Sequence, residues 1–152
     1  MKKLSTLLLA AILLAGCAST DQTNQKPDTP SVEEHIETID KDGVTISVDK
    51  VELEDDQTRI YLSGVNDSDA KCDLFMLETK LVQDGTQYSL KLDANEGKDT
   101  FPSEIEPGES VQGWPTFQPV EKRNFSLWLV GFSSDYQDDT REFRFNLSVP
   151  QE

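Results

Sequence analysis

The sequence has little of the chemistry from which most active sites are built. It contains two cysteines and one histidine in 152 residues, so it offers neither a disulfide framework nor a histidine-rich zinc site. That histidine, His35, precedes the part of the chain with strand periodicity, which leaves a Ser-His-Asp or Cys-His arrangement without a base. The sequence also lacks a phosphate-binding glycine loop and a dinucleotide fingerprint. We therefore expect that the protein is not an enzyme, although a carboxylate pair acting on a glycoside stays open.

Positive charge is scarce as well. The chain has 14 Lys and Arg against 29 Asp and Glu, a formal net charge of −15 at pH 7. Nucleic acid phosphates and anionic lipid headgroups repel such a chain. We therefore expect no nucleic acid partner and no peripheral adhesion to a membrane. The charge permits cationic partners or divalent ions, and it also keeps a protein soluble beside a membrane.

The start of the chain carries the pattern of a bacterial lipoprotein signal. Lys2 and Lys3 form a short basic segment, and residues 4–14 are almost wholly apolar, which is too short to span a bilayer stably. The run ends in Leu14-Ala15-Gly16-Cys17, a lipobox in which small residues admit a signal peptidase and the thiol accepts a diacylglyceryl group. Residues 1–16 are thus predicted to be a signal peptide, and Cys17 the lipid-bearing N-terminus.

The predicted lipid sets the location. Each buried methylene contributes about 0.8 kcal/mol, so two or three acyl chains hold a protein firmly at a membrane. We expect an extracytoplasmic protein anchored to the cell membrane, with the lipid as its only membrane contact.

A polar segment follows the anchor. Residues 17–41 are rich in Ser, Thr, Asp, Gln, Asn and Pro, a composition that does not bury enough apolar surface to fold, so they are predicted to be a disordered tether. One alternative lies within it: Ser31 and Glu34 form a capping box, with Val32, Ile36 and Ile39 on one helical face, and this pattern would allow a short helix.

From residue 42 to 152 the apolar residues recur with a period of two, which is typical of half-buried strands. Val44, Ile46 and Val48 alternate with polar residues, and a phase shift at Lys50 predicts a β-bulge. Asp84-Gly85 predicts a hairpin turn and Pro107-Gly108 a further turn. The other predicted strands are residues 59–66, 73–82, 87–90, 110–117, 124–132 and 141–149. Phe75, Leu77 and Leu81 are predicted to share one face of strand 73–82. Strand 124–132 is predicted to be central, with Trp128 in the core.

This pattern predicts an all-β domain of seven to eight short strands. Two packed antiparallel sheets are the economical way to bury one face of each strand. An immunoglobulin-like antiparallel β-sandwich is the favoured version, without the disulfide of antibody domains. Once Cys17 carries lipid, Cys72 has no partner and is expected to be a small, partly buried strand residue.

The same segments resemble a known family. The motifs are Val44-Thr45-Ile46, then Thr58-Arg59-Ile60-Tyr61-Leu62 ending in Asn66-Asp67-Ser68, then Asp84-Gly85-Thr86-Gln87-Tyr88, and Pro107-Gly108-Glu109-Ser110-Val111-Gln112-Gly113 leading to Phe117. Together, over residues 43–149, they resemble immunoglobulin-like domains of unknown function in secreted lipoproteins of Gram-positive, Bacillus-like bacteria. The resemblance implies the sandwich and the extracytoplasmic location, and it brings no catalytic residues. Pro115 departs from the pattern and predicts a sheet edge or bulge there.

Two ligand hypotheses remain open. Carboxylate oxygens in turns could bind calcium, although no EF-hand loop is present; the candidate ligands are Asp55, Asp56, Asp67, Asp69, Asp138 and Asp139. Trp114, flanked by Gly113 and Pro115, could offer a stacking face to a glycan, or could cover a sheet edge as a structural residue.

We therefore predict a non-catalytic interaction or accessory module at the cell surface, with a protein partner. The alternative is a lipoprotein that binds a small ligand or a divalent ion such as calcium. A partner-binding module should expose an apolar patch, whereas a calcium site should bring carboxylates together.

Overall fold

The structure is a computed structural model that describes residues 31–32, 36–94, 100–133 and 140–150. These residues form strands joined by turns, with two short 3₁₀ helices, Met76–Glu78 (η1) and Leu92–Ala94 (η2). The strands are β1 (Ser31–Val32), β2 (Glu37–Lys41), β3 (Val44–Leu53), β4 (Thr58–Asn66), β5 (Cys72–Leu74), β6 (Lys80–Gln83), β7 (Thr86–Ser89), β8 (Glu104–Ile105), β9 (Ser110–Gly113), β10 (Thr116–Phe117), β11 (Phe125–Ser133) and β12 (Thr140–Leu147).

The strands form two antiparallel sheets. In the first sheet β3 pairs with β4, β1 and β2 pair with the free side of β3, and β9 and β10 pair with the free side of β4. In the second sheet β11 is central, with β12 along one side and β5 and β6 along the other, while β7 and β8 form the outer edge. The predicted central role of residues 124–132 is thus confirmed.

The core lies between the two sheets because each long strand turns its apolar face inward. Along β12, exposed residues alternate strictly with buried ones, which include Phe143, Phe145 and Leu147. Strand β4 buries Ile60 and Leu62 in the same way. The predicted all-β antiparallel sandwich is confirmed, whereas its immunoglobulin-like classification stays a prediction.

Two local predictions are confirmed in detail. The register between β3 and β4 shifts between Val48 and Lys50, which is the predicted bulge. Asp84 and Gly85, with φ of 49° and 80°, turn β6 into β7, as a two-residue hairpin of type I′ requires. The strand around Trp114 is interrupted, since β9 ends at Gly113 and β10 begins at Thr116.

The folded domain begins earlier than predicted. The tether was expected to reach residue 41, but β2 pairs with β3 in register from Glu37↔Val48 to Lys41↔Val44, and Ile36 and Ile39 pack against the core. Asp42-Gly43 makes the connecting turn with φ of 51° and 78°. The short helix that the capping box would allow does not begin at Ser31, because Ser31–Val32 pairs with β3 instead. The signal peptide and Cys17 lie outside the described residues.

The predicted strand 73–82 is two strands. Cys72 and Leu74 face the core in β5, whereas Leu81 and Gln83 face it in β6, so the inward phase changes from even to odd residues. The 3₁₀ helix η1 between them makes this change and leaves Phe75 and Leu77 at the surface. Such short segments raise the strand count above the predicted seven to eight. In the described part of the chain no helix is long and apolar enough to cross a membrane.

Candidate functional surface: an apolar groove

An apolar groove of about 490 Å³ lies where η1, the segment around η2 and the chain before β8 meet. Leu77 on η1 is 80% exposed and Leu92 on η2 is 64% exposed, and both line the groove. Phe101 is buried at its floor. The remaining lining residues are Met76, Leu90, Thr100, Pro102, Ser103 and Glu104.

The backbone around η1 holds this surface in place. The Phe75 amide donates to the Val130 carbonyl of β11 at 2.8 Å, and the Thr79 hydroxyl donates to the Phe75 carbonyl at 3.2 Å. The Phe75 ring packs against Phe132 with centroids 4.1 Å apart, yet Phe75 is 46% exposed. Next to Leu92, the Lys91 amide donates to the Thr116 carbonyl at 2.9 Å. Both leucines are therefore displayed on hydrogen-bonded backbone, which lowers the entropic cost of binding.

The rim of the groove is acidic. Glu78 follows Leu77, Asp93 follows Leu92, and Glu104 lines the groove, and all three carboxylates are exposed. Lys71 offsets part of this negative charge, because its Nζ lies 2.9 Å from a carboxylate oxygen of Asp73 and 3.4 Å from one of Glu104. The apolar surface is thus bordered by negative charge, in keeping with the charge of the whole chain.

The four calcium candidates that the structure describes are not brought together. Asp55 and Asp56 lie in the turn before β4, and Asp67 and Asp69 follow its other end. Nine residues of strand place these turns ~30 Å apart. The Asp56 carboxylate instead forms an ion pair with Lys91, with the carboxylate oxygen 3.8 Å from the Lys91 Nζ. Asp138 and Asp139 lie outside the described residues, and within the described ones no three His, Cys, Asp or Glu side chains could hold a metal ion.

Trp114 is half-buried on the outer face of the first sheet, with its ring centroid 5.6 Å from that of Tyr61. The Tyr61 hydroxyl donates to Glu52 at 3.0 Å, and Arg59 donates to the same carboxylate at 2.6 Å. Partial burial alone would raise the pKa of Glu52, but hydrogen bonds from Lys50, Tyr61 and Arg59 outweigh it and hold that pKa below its usual value. These contacts fit the structural role weighed for Trp114, which covers Tyr61.

Trp128 is not in the core, contrary to prediction. It lies half-buried on the outer face of β11, between Lys80 and Arg144, its cross-strand partners on β6 and β12. The Arg144 guanidinium is 4.2 Å and the Lys80 ammonium 5.4 Å from the ring centroid. An apolar run on both faces of β11 indicated burial, but cationic side chains cover the outer face instead.

Cys72 is a buried strand residue with a free thiol, as the sequence predicts for its strand position, and buried more completely than expected. Burial raises the pKa of the Cys72 thiol, while the nearby Arg141 opposes that rise. The neutral thiol therefore dominates at neutral pH, which disfavours nucleophilic chemistry at this residue.

The chain matches no model of a known protein family and no curated protein. Among solved structures it is similar to a protein of unknown function from Listeria monocytogenes EGD-e, with 10% identity and a TM-score of 0.62 over 79% of this chain and 85% of that one. It is also similar to the yjhA protein of Bacillus subtilis, with 13% identity and a TM-score of 0.49 over 64% of this chain and 79% of that one.

A third structure, ycdA of Bacillus subtilis, is described as a candidate lipoprotein and has 16% identity and a TM-score of 0.49 over 75% of this chain and 39% of that one. At these identities the Listeria structure shows a shared fold alone. A shared fold with a Listeria protein of unknown function agrees with the resemblance to a Gram-positive domain of unknown function.

Proposed function

We propose that this protein is a lipid-anchored, non-catalytic binding module of the extracytoplasmic cell surface, and that its apolar groove receives a polypeptide partner. The anchor rests on the lipobox at Cys17 in the sequence. The groove rests on one observation, the exposure of Leu77 and Leu92 on either side of a single concave surface.

Two exposed leucines at one groove differ from scattered surface leucines, which are ordinary in soluble proteins. Full burial of a leucine side chain contributes about 1.5–3 kcal/mol, so covering both would supply a large share of a micromolar affinity, which corresponds to about 8 kcal/mol. Phe75 and Leu90 lie beside them and extend the apolar area. Of the large exposed apolar side chains among the described residues, Leu77 and Leu92 thus meet at this one groove.

The acidic rim selects the partner's charge. Glu78, Asp93 and Glu104 would face the flanks of any segment seated on the leucines, and cationic flanks would be attracted while anionic ones would be repelled. The proposed occupant is therefore a polypeptide segment with an apolar centre and Lys or Arg on both sides.

Fluorescence anisotropy tests this proposal with two labelled peptides. One has a Leu-Phe-Leu centre flanked by lysines, and the other is identical except that each lysine is glutamate. The protein is residues 18–152, which keeps every residue that the structure describes. We expect the cationic peptide to bind and the anionic one to bind at least tenfold more weakly, with the difference shrinking as salt rises.

The Leu77→Ser/Leu92→Ser variant should bind the cationic peptide at least tenfold more weakly, because it removes the apolar anchors. Its thermal stability should stay close to that of the wild type, since both side chains are exposed. Asn146→Ser, an exposed substitution on β12, is the control and should bind normally. Equal binding by the double variant and the wild type would refute the groove as the site.

A further inference from the structure

A second, polar cleft lies on the side of the sandwich where the two sheets meet edge to edge. It measures about 590 Å³ and lies between β2 of the first sheet and β12 of the second. The hydrogen bond described between these edges runs from the Asn146 amide to the Glu37 carboxylate, at 2.7 Å. Within the described residues no β-ladder joins these two edges.

Arg141 points into the sandwich from the start of β12 and lines this cleft. It shares the inward phase of Phe143 and Phe145 and is 6% exposed. Its cross-strand partner is Gly131, which has no side chain. The guanidinium thus lies at one end of the core, beside the buried Cys72 thiol.

The guanidinium of Arg141 lacks the partners that a buried charge requires. Its Nε and Nη1 are buried and have no hydrogen-bond partner among the residues that the structure describes. Within the described residues Arg141 forms one ion pair, with a carboxylate oxygen of Asp42 that lies 3.9 Å from Nε. This distance is too long for a hydrogen bond, and the Asp42 side chain is 71% exposed. A buried cation with two unsatisfied N–H groups disfavours folding unless something supplies acceptors for them.

The cleft around Arg141 is rich in positive charge despite the acidity of the chain. Lys41 and Arg144 also line it, against Asp42 and Glu142. Glu142 is already paired with Arg144 at 2.6 Å. Lys41 is exposed and forms no ion pair with any residue in the described ranges.

We propose that this cleft is a binding site for a small oxyanion, with Arg141 as its buried anchor and Lys41 at its mouth. A phosphate or carboxylate group accepts several hydrogen bonds from a guanidinium and matches its charge. The site is separate from the apolar groove, and it does not depend on the proposed partner.

Thermal unfolding of residues 18–152 tests the proposal, with inorganic phosphate and acetate as probes and sodium chloride at equal ionic strength as the reference. A ligand that binds only the folded state raises the unfolding midpoint. We expect phosphate or acetate to raise it by ~5 °C or more beyond chloride at saturating concentration. A larger effect of phosphate would indicate a tetrahedral anion, and a larger effect of acetate a carboxylate.

Three variants locate the effect. Arg141→Met fills the same space without charge, so it should abolish the anion-specific shift while being at least as stable as the wild type in chloride. Lys41→Met, an exposed change, should reduce the shift even if Arg141→Met does not fold. Arg123→Met is the control for net charge, because Arg123 is exposed and paired with Asp84 and Glu121, and it should keep the full shift.

Two results would overturn the proposal. One is a wild type that responds to phosphate and acetate no more than to chloride. The other is an anion-specific shift that survives unchanged in both Arg141→Met and Lys41→Met, which would mean that the anion acts elsewhere on the protein.

Discussion

Replacing Gly113 with alanine should damage the fold at the floor of the groove. A Cβ atom on Gly113 would lie 2.7 Å from both the amide nitrogen and the Cα of Phe101, and 2.8 Å from the carbonyl carbon of Thr100. All three are backbone atoms, so no side-chain rotation relieves the clash. Either β9 or the segment at Phe101 has to move by roughly 0.7 Å to reach an ordinary contact distance, as in other overpacked cores.

Overpacking of this kind costs typically 1–3 kcal/mol, and the backbone contacts place Gly113→Ala near the upper end, at about 2–3 kcal/mol. For a folded region of this size that corresponds to a drop of about 8–12 °C in the unfolding midpoint. Urea denaturation followed by circular dichroism measures the free energy directly. Because Phe101 forms the groove floor, the variant should also bind the cationic peptide more weakly.

Gly64→Ala is the matched control. It lies in β4, and its added Cβ would first meet side-chain methyl groups rather than backbone atoms, namely Ile46 Cδ1 at 3.0 Å, Val111 Cγ2 at 3.1 Å and Ile105 Cδ1 at 3.2 Å. Side-chain methyl groups can give way more readily than backbone, and alanine also restricts the unfolded chain, so the cost should lie at the lower end of the overpacking range, at about 1 kcal/mol. If Gly113→Ala destabilised the protein no more than Gly64→Ala does, the reasoning from backbone crowding would be refuted.

Three further predictions follow from single residues. Asn66→Ala removes a buried amide that donates to the carbonyls of Ala70 and Ile105, both at 2.8 Å, and should cost about 2–3 kcal/mol in urea denaturation; a cost below 1 kcal/mol would contradict this. Glu52 has a folded pKa below its ordinary value of 4.5, so its stabilisation is present above that pH and is lost as pH falls through the folded pKa. The stability difference between wild type and Glu52→Gln should accordingly shrink on acidification, and a constant difference would count against the Glu52 network. Cys17→Ser should abolish incorporation of labelled palmitate in a Gram-positive host, and labelling of the variant would disprove lipidation at Cys17.

Much of the fold follows from the sequence because strand periodicity and turn chemistry are local signals. The alternation in β3, β4 and β12 and the Asp84-Gly85 turn are each contained within a few residues, so they can be read without tertiary information. Strand β2 was missed although Asp42-Gly43 carries the same hairpin signal, because the polar composition before it outweighed the turn. Ile39 in β2 and Ile36 just before it pack against the core, and they suffice once β3 offers an edge to pair with.

The candidate sites could not be predicted in the same way because they depend on contacts between distant segments. Leu77 has the phase of a strand residue, and only the 3₁₀ helix between β5 and β6 turns it toward solvent. Leu92 lies in η2, between β7 and β8, and reaches the same groove as Leu77 only through the tertiary fold. Arg141 did leave a local signal, since it occupies the inward phase of a strictly alternating strand, but its lack of partners is a tertiary property.

Mapping by NMR tests the central claim most directly. Uniformly ¹⁵N-labelled protein, residues 18–152, is titrated with the unlabelled cationic peptide, and the amide shifts are followed. Binding at the groove predicts the largest changes at residues 76–78, 90–92 and 100–104, with little change along β2 and β12, and their loss in Leu77→Ser/Leu92→Ser. No saturable shifts, or shifts centred on another surface, would contradict the account.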